Sequence, residues 1–353
     1  MQASKRPYNR WRWLGIVILL GVLLSAFLLS LGLGSVAIPL SDVVTILTGG
    51  TPSKASWQDI LWQFRFPKAL TALCAGAALA MSGLQLQTLF GNPLAGPSIL
   101  GVNAGASLGV ALVVLTVGAT ASPANLGELS FLSDLGVVMA ASLGSATTLG
   151  IMLFVAQQVR NNIALLILGV MIGAATTALV TVLLHFSPIA QTQAYLTWTF
   201  GSFAGVTWDQ LGLFGGSVGL GFLLALALVK PLNLLLLGET HAQSLGVNVG
   251  RVRVGILVSA SILAGTVTAF CGPIAFLGIA VPHLCRRLFR TADHQILVPA
   301  TLLMGSILAL LADAIAQLPG RQAILPLNAI TALLGAPVVI WLILQQSQLF
   351  RGE

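Results

Sequence analysis

Long apolar segments alternate with short polar connections along almost the whole chain. Most of these segments approach the about 20 apolar residues that a helix needs to cross the hydrocarbon core of a bilayer. The pattern therefore predicts an all-α, polytopic membrane protein with ten transmembrane helices. The ten segments cover residues 14–34, 66–88, 97–117, 135–157, 162–184, 209–229, 254–271, 273–285, 296–316 and 327–345.

The eighth segment differs from the others because it is short and carries glycine and proline. The apolar run from Gly272 to Val281 cannot cross a bilayer comfortably by itself. Lipid cannot hydrogen-bond an irregular backbone, so we expect neighbouring helices to cover this stretch. Pro282 and His283 follow, and then Arg286 and Arg287 predict an end at a cytoplasmic surface.

The uneven distribution of basic residues predicts the orientation of the chain. If the first segment leads outward, ten crossings return the C-terminus to the cytoplasm. Twelve lysines and arginines then lie on the cytoplasmic side, and four lie outside: Lys54, Arg65, Lys68 and Arg321. This excess places both termini in the cytoplasm, including the basic N-terminus at 1–13. A signal peptide is the alternative for the first segment, but its apolar run exceeds the usual length of about 7–15 residues.

Composition favours a membrane protein and excludes other classes. Of the 353 residues, 57% are hydrophobic and only 7% are charged, against about 25% charged residues in soluble domains. The 38 glycines fit close packing of helices in lipid. The net charge of +7 comes from basic residues at segment ends, which indicates membrane lipid and not nucleic acid as the anionic partner.

Side chains that could carry out chemistry are sparse. The sequence has no phosphate-binding loop ending in Gly-Lys-Ser/Thr and no recognisable catalytic set, so we expect a protein that is not an enzyme. Cys74, Cys271 and Cys285 lack the spacing of metal ligands, and the four histidines lie far apart. We therefore predict neither a metal site nor a cofactor.

Three charged residues near the outer ends of segments need a reason. Asp313 is the one clear ionisable residue inside a segment, where it either accepts structural hydrogen bonds or takes part in gating. Arg65 and Lys68 oppose the inside-positive distribution, which an acidic partner docking from outside or snorkelling side chains would explain. A proton-coupled secondary transporter is disfavoured because its relay would need several membrane carboxylates.

Two polar connections are long, one outside at about 35–64 and one inside at about 231–253. In the inner connection Gly238 and Gly246 punctuate two short helical turns, which predicts a small platform on the cytoplasmic surface. A connector without a partner is the alternative interpretation.

A short internal similarity is also present. Gly96-Pro97 and Gly272-Pro273 each begin an apolar stretch that ends in glycine, at Gly101 and Gly278. Placed at opposite membrane faces, such stretches indicate an inverted repeat of the kind on which transporters are built, unless the match is chance.

Three blocks of the sequence resemble one family. The first block contains Arg65-Phe66-Pro67-Lys68, GAALAMSGLQ at 76–85 and NPLAGP at 92–97. The second contains LGV at 245–247, GPIAFLG at 272–278, and PHL with an arginine at 282–286. The third contains Ala312-Asp313, Leu325-Pro326 and GAP at 335–337. In order and spacing the chain is similar to the ABC-importer permeases for iron-siderophores, haem and cobalamin, the FecCD type.

The resemblance implies a single permease domain over 1–353 with the fold of cobalamin-importer permeases, the type II ABC importer fold. It implies a complex in the bacterial inner (plasma) membrane, with a second permease chain that is identical or different and two cytoplasmic ATPase subunits. A periplasmic or lipid-anchored binding protein would deliver the cargo. The implied cargo is an iron-siderophore complex, with cobalamin or haem as alternatives.

The same resemblance points to candidate residues. Coupling helices at 237–253 would dock on the ATPases, with Glu239, Thr240, Ser244, Leu245, Gly246, Val247 and Arg251 as the contacts. Pro282, His283 and Arg286 form a cytoplasmic motif. The outer contacts with the binding protein would be Arg65, Lys68 and Arg321. Candidates for the pathway or its gate are Gln85, Gln87, Asn92, Pro93 and Asp313, and plain helix packing explains the first three almost as well.

The chain departs from the family pattern at the outer mouth. Lys68 stands where an arginine is usual, which keeps the charge and loses bidentate pairing. Gln317 also replaces a usual arginine, for which Arg321 is the candidate substitute. Ile324 and Asn328 replace a glutamate and a glycine. These departures affect the predicted contact with the binding protein and leave the fold and the coupling loop unaffected.

Overall fold

The computed structural model describes residues 8–34, 36–120, 126–159, 161–317 and 325–349. Regular structure in these residues is helical throughout. A π-helical turn, Ile60–Arg65, leads into the fourth helix, and a 3-10 turn, Pro97–Leu100, precedes the fifth. The described α-helices are α1 Tyr8–Gly32, α2 Leu40–Leu47, α3 Ala55–Asp59, α4 Phe66–Phe90, α5 Val102–Thr120, α6 Leu126–Gln158, α7 Asn162–His185, α8 Ile189–Thr199, α9 Trp208–Ala227, α10 Val229–Leu235, α11 Glu239–Ser244, α12 Val249–Cys271, α13 Leu277–Phe289, α14 His294–Ala316 and α15 Leu327–Leu349.

The ten predicted apolar segments correspond to α1, α4, α5, α6, α7, α9, α12, α13, α14 and α15. Among the described residues, seven helices are long and apolar enough to cross a membrane by themselves, namely α1, α4, α6, α7, α9, α12 and α14. The apolar parts of α5 and α15 are shorter, and α13 has 13 residues. The prediction of an all-α, polytopic membrane fold is confirmed.

One end of the bundle collects many of the arginines, and we call it the basic end. Arg12, Arg251, Arg286 and Arg290 lie here, in the first turns of α1 and α12 and at the end of α13. Hydrogen bonds tie helix termini together at this end: Arg12 Nη2 to Arg290 O (3.3 Å), Asn162 Nδ2 to Leu89 O (2.9 Å), and Asn233 Nδ2 to Asp293 Oδ1 (2.8 Å).

The other helix termini meet at what we call the opposite end. Trp208 Nε1 at the start of α9 donates to Trp62 O before α4 (2.8 Å). The backbone of Asn328 at the start of α15 donates to Phe200 O after α8 (3.0 Å). These contacts bring the starts of α9 and α15 together with the segment before α4 and the end of α8.

Helix α4 occupies the centre of the bundle and packs closely on its neighbours through glycines. A side chain added at Gly76 would overlap Gly305 O of α14, and one added at Gly83 would overlap Gly278 O of α13. Such close approach of backbones is the usual way in which small residues join membrane helices. The glycine content of the sequence therefore has a specific structural role at these crossings.

The break between α12 and α13 is covered by protein, as the sequence predicts. Gly272 takes a left-handed conformation (φ 74°), and an irregular stretch follows before α13 begins. Ser202 N donates to Cys271 O (2.8 Å), and Ala275 N donates to the Asn328 side chain (3.1 Å). The backbone groups that lipid could not satisfy thus find partners in the α8–α9 connection and in α15.

Some sequence-based boundaries were wrong for local reasons. The third segment was predicted to begin at residue 97, but α5 begins at Val102, because Pro97 opens a 3-10 turn and Gly101 ends it with a φ of 72°. Helices α2, α3 and α8 were not predicted. They are short, and α2 buries only Asp42, Val43 and Ile46.

The two glycine-proline stretches are in contact in the structure. A side chain added at Gly278 would lie 2.7 Å from Cδ of Pro97, and one added at Gly96 would lie 2.8 Å from Cγ1 of Ile279. Both stretches border a small cavity of about 80 Å³. The inverted repeat itself stays a prediction.

Candidate functional site

The connection at 237–253 forms a compact platform at the basic end. Gly238 (φ 95°) and Gly246 (φ 87°) take left-handed conformations on either side of α11, as expected for glycines that reverse the chain direction. Asn248 then caps α12 by accepting a hydrogen bond from Arg251 N (3.1 Å). The sequence predicted two helical turns here, and the structure has one separate helix followed by the first turn of α12.

The platform presents most of the predicted coupling residues to its surroundings. Thr240, Ser244, Leu245, Gly246 and Arg251 are exposed, and Leu245 has 61% of its surface accessible. Glu239 and Val247 are half-buried. An exposed leucine at the tip of a polar helix outside the apolar spans is typical of a contact surface.

Glu239 connects the platform to the spanning helices. Its Oε1 accepts hydrogen bonds from Asn162 Nδ2 (2.6 Å) and from Arg253 Nη2 (3.3 Å), the latter an ion pair. Asn162 also donates to Leu89 O, and Arg253 Nη1 donates to Val159 O (3.2 Å). One carboxylate therefore joins α11 to α12, to the start of α7 and, through its partners, to the ends of α4 and α6.

The sequence named Glu239 and missed its partners. Asn162 and Arg253 lie 77 and 14 residues away from Glu239 along the chain. The available signal was that Glu239 is the acidic residue of a connection that otherwise carries arginines.

A second network joins residues that the sequence had placed in separate groups. Arg286 Nη1 donates to Gln87 Oε1, and Gln87 Nε2 donates to Ile279 O (3.1 Å). His283 Nε2 lies 2.7 Å from Pro93 O, so this nitrogen carries the proton and donates. His283 and Arg286 of α13 thus hold the end of α4 and the connection that follows it.

The remaining pathway candidates near this end, Gln85 and Asn92, each make one local side-chain contact. Gln85 is fully buried, and its Oε1 accepts from Ser259 Oγ (3.2 Å), whereas its Nε2 has no hydrogen-bond partner among the described residues. Asn92 Oδ1 accepts from Leu94 N (2.9 Å) within its own turn. Pro282, which the sequence grouped with His283 and Arg286, is buried inside α13. Helix packing and a role along a pathway both stay predictions for Gln85 and Asn92.

A third polar cluster at the basic end was not predicted. His294 Nε2 lies 2.9 Å from Thr88 Oγ1, and His294 Nδ1 lies 2.8 Å from Asn233 Oδ1. Asn233 in turn donates to Asp293 Oδ1. The cluster fastens α10, which leads into the platform, to the end of α4 and the start of α14. No pattern in the sequence indicated these pairs because each joins distant positions.

At the opposite end Arg65 points into the protein. Its Nη1 donates to Leu31 O (2.7 Å) and Gly32 O (2.9 Å), and its Nη2 donates to Val36 O. The side chain is buried. Arg65 therefore satisfies the free carbonyl groups at the end of α1. Neither of the two explanations offered by the sequence, an outer partner or snorkelling, anticipated this position.

Lys68 and Asp313 form an ion pair at the same end. Lys68 Nζ lies 3.0 Å from Asp313 Oδ1, and Gln317 Nε2 donates to Asp313 Oδ2 (2.6 Å). The carboxylate that the sequence flagged is thus neutralised by the cation from the start of α4. Arg321, the third predicted contact for a binding protein, lies outside the described residues.

In the described part of the chain, no group of three or more His, Cys, Asp and Glu side chains could hold a metal ion. Cys74, Cys271 and Cys285 are free thiols. The polar side chains at both ends are instead used to hold helix termini together.

Comparison with known proteins gives a consistent result. The model of the FecCD transport family matches residues 22–345. The vitamin B12 import system permease protein BtuC of Salmonella typhimurium (strain LT2) is 36% identical over 346 residues, covering 98% of this chain and 99% of the relative. BtuC of Klebsiella pneumoniae is 36% identical over 97% of this chain and 96% of the relative. A solved structure, described as an inward-facing conformation of an ABC transporter of the metal-chelate type, matches with a TM-score of 0.81. It is 30% identical, and the match covers 94% of this chain and 98% of that chain.

Proposed function

The chain belongs to the FecCD transport family, and from that premise we propose that it is the permease subunit of a bacterial importer for bulky metal chelates, driven by separate ATPase subunits. Two permease chains, identical or different, would enclose the pathway, and two ATPases would bind the cytoplasmic surface. Full-length similarity to importer permeases supports this assembly.

For the cargo, we place cobalamin first. The sequence alone favoured an iron-siderophore, because that is the usual cargo of the family. The relatives that match over nearly the whole chain are named for vitamin B12 import, which changes the order. An iron-siderophore is the second candidate, supported by the similarity to a metal-chelate transporter structure.

The proposed orientation puts the basic end in the cytoplasm and both termini with it, in the inner membrane. The arginines collected at that end support this assignment through the inside-positive rule. A periplasmic or lipid-anchored binding protein would then dock at the opposite end. Arg65 and Lys68 already have partners within the chain, so docking would act on the helix ends that they hold.

The observation that carries the coupling proposal is the exposed tip of α11 together with the anchored base of the same helix. Leu245 is available for contact, while Glu239 ties α11 to four other helices or helix ends. A push on Leu245 by a partner would therefore be transmitted to spanning helices. A connector without a partner would need neither feature.

Uptake of labelled cyanocobalamin and of a labelled ferric siderophore, in a strain lacking this chain, tests the proposal. We expect the chain to restore cyanocobalamin uptake in the presence of its ATPase, and Leu245→Asp to abolish uptake and ATPase co-purification. Phe64→Asp is the matched control, because Phe64 is also well exposed (69%, against 61% for Leu245) and lies at the opposite end, and it should leave ATPase binding intact. Restored siderophore uptake alone would transfer the cargo assignment to the second candidate, and uptake without an ATPase would overturn the proposal.

A further inference from the structure

A groove of about 400 Å³ lies on the membrane-facing side of the basic end, between α1 and the last turn of α13. Its walls are apolar, with Ile18 on one side and Leu288 on the other, both exposed. Phe289 forms the floor. A side chain added at Gly15 would lie 2.8 Å from Cε1 of Phe289, so the absence of a side chain at Gly15 keeps the groove open.

The groove has the length of a membrane leaflet. Its lining residues run along α1 from Trp11 to Leu19, a distance of about 12 Å at the rise of an α-helix. Half of the hydrocarbon core of a bilayer measures about 15 Å. An apolar chain lying in this groove would therefore extend from the membrane surface almost to the middle of the bilayer.

Two arginines stand at the surface end of the groove. Arg12 and Arg290 both line it. Arg12 Nη2 donates to Arg290 O (3.3 Å), and this hydrogen bond holds the Arg12 guanidinium beside the backbone of Arg290. The nearby carboxylate of Asp293 accepts hydrogen bonds from Asn233 and from Gln295 N. Arg287 stacks on the ring of Trp341 (4.0 Å) and so faces α15, away from the groove.

The charges at this end favour a single anionic group. The C-terminus of α13 carries about half a negative charge that opposes an anion, and the N-terminus of α1 carries about half a positive charge that offsets it. The two guanidinium groups outweigh the one carboxylate of Asp293, whose hydrogen-bond donors are neutral, so the mouth of the groove keeps a net positive charge. Basic pockets between membrane helices are typical binding sites for anionic lipid head groups.

We propose that this groove binds one anionic phospholipid, with an acyl chain along Ile18 and Leu288 and the phosphate between Arg12 and Arg290. The occupant follows from the combination of an apolar channel of leaflet length with a basic mouth. Free phosphate would use only the mouth, and a zwitterionic lipid would carry no net charge to complement the arginines. The site would fasten α1 to the end of α13 without taking part in transport itself.

Lipid titration of the purified permease–ATPase complex tests this site. The complex in detergent is titrated with dioleoyl phosphatidylglycerol and, separately, with dioleoyl phosphatidylcholine, and bound lipid is counted by native mass spectrometry. Each arginine near an anionic head group is worth about a fivefold change in affinity, so Arg12→Gln/Arg290→Gln should weaken phosphatidylglycerol binding about 30-fold. Arg287→Gln removes one charge from the same helix end and should change the affinity less than about twofold.

Two further variants separate the parts of the site. Gly15→Leu fills the apolar channel and should weaken binding of both lipids. Arg12→Lys/Arg290→Lys keeps the charge and should retain the preference for phosphatidylglycerol, which keeps the test valid if the glutamine variant is unstable. Three results would overturn the proposal. The first is that Arg287→Gln weakens phosphatidylglycerol binding as much as Arg12→Gln/Arg290→Gln does, and the second is that inorganic phosphate competes as strongly as lipid. The third is that the glutamine variants release the ATPase or the second permease chain while the amount of bound lipid stays unchanged.

Discussion

At the scale of single residues, the side chains with the most consequence are those that hold helix ends. Glu239 accepts from two helices, and Lys68 neutralises Asp313. Arg65, just before α4, donates to two carbonyl groups at the end of α1 and to one in the connection that follows. None of these partners is near in sequence. Each contact fixes the position of one helix terminus relative to another.

Glu239→Gln tests the connection between the platform and the spanning helices. The amide can still accept from Asn162 but loses the ion pair with Arg253, which is worth about 1 kcal/mol after solvent screening of the half-exposed carboxylate. We expect ATP-driven uptake to fall several-fold while the ATPase stays bound. The ratio of cargo transported to ATP hydrolysed measures this.

Asp209→Asn, at the start of α9 and the opposite end of the bundle, is the control for loss of one carboxylate. It should leave the ratio of transport to hydrolysis unchanged. An unchanged ratio in Glu239→Gln as well would show that the carboxylate does not transmit motion.

The ion pair between Lys68 and Asp313 is partly buried, so removing one partner should be costly. Asp313→Ala leaves a cation near the bundle interior, and we expect a loss of about 3 kcal/mol in the free energy of unfolding. The paired substitution Lys68→Met/Asp313→Leu should recover most of that loss, because two apolar side chains leave no unpaired charge. Thermal unfolding in detergent compares the variants, and equal stability of single and double variants would contradict the ion-pair role.

The sequence located these residues better than it assigned their roles. The cations at 65 and 68 and the carboxylate at 313 stood out because charge is costly at such positions. Their partners could not be derived, since Arg65 reaches carbonyl groups more than 28 residues away. Every residue has a backbone carbonyl group, so the sequence gives no signal that Arg65 points into the protein and binds three of them.

At the scale of helices, the position of each spanning segment follows from the length of its apolar run. The short connecting helices and the exact start of each helix do not. The apolar pattern located ten helices, because lipid imposes both length and hydrophobicity. Most of their bounds lie within a few residues of the prediction, but α1 and α6 begin at Tyr8 and Leu126, six and nine residues earlier than predicted. The pattern missed α8 and the true start of α5, where proline and glycine set local backbone conformation. A short helix such as α8, with 11 residues, lacks the long apolar run on which the prediction depended.

The crossing of α4 and α13 should tolerate no side chain at Gly83. Gly83→Val would force the two backbones apart. We expect the free energy of unfolding to fall by about 1–3 kcal/mol or more, the usual cost of overpacking. Gly216→Val on α9 is the matched control, because a Cβ there meets no atom within 4 Å. Detergent-solubilised yield and thermal unfolding provide the measurement, and equal behaviour of the two variants would contradict the close crossing.

At the scale of the whole molecule, the two ends of the bundle have different designs. The basic end carries a platform with an exposed tip and an anchored base. Three polar networks at this end join the termini of α4, α7, α12, α13 and α14 to one another or to the platform. At the opposite end, Arg65 and the Lys68–Asp313 ion pair hold helix termini together. This asymmetry suits a permease in which force enters at one end and cargo enters at the other.

Site-specific photo-crosslinking tests the central claim, that a separate ATPase acts on this chain through α11. A photoreactive amino acid at Ser244 of the assembled complex should form a crosslink to the ATPase, and the yield should change when ATP is added. The same amino acid at Phe64 should give no crosslink to the ATPase. A crosslink from position 64, or none from position 244 in a complex that hydrolyses ATP, would contradict the account.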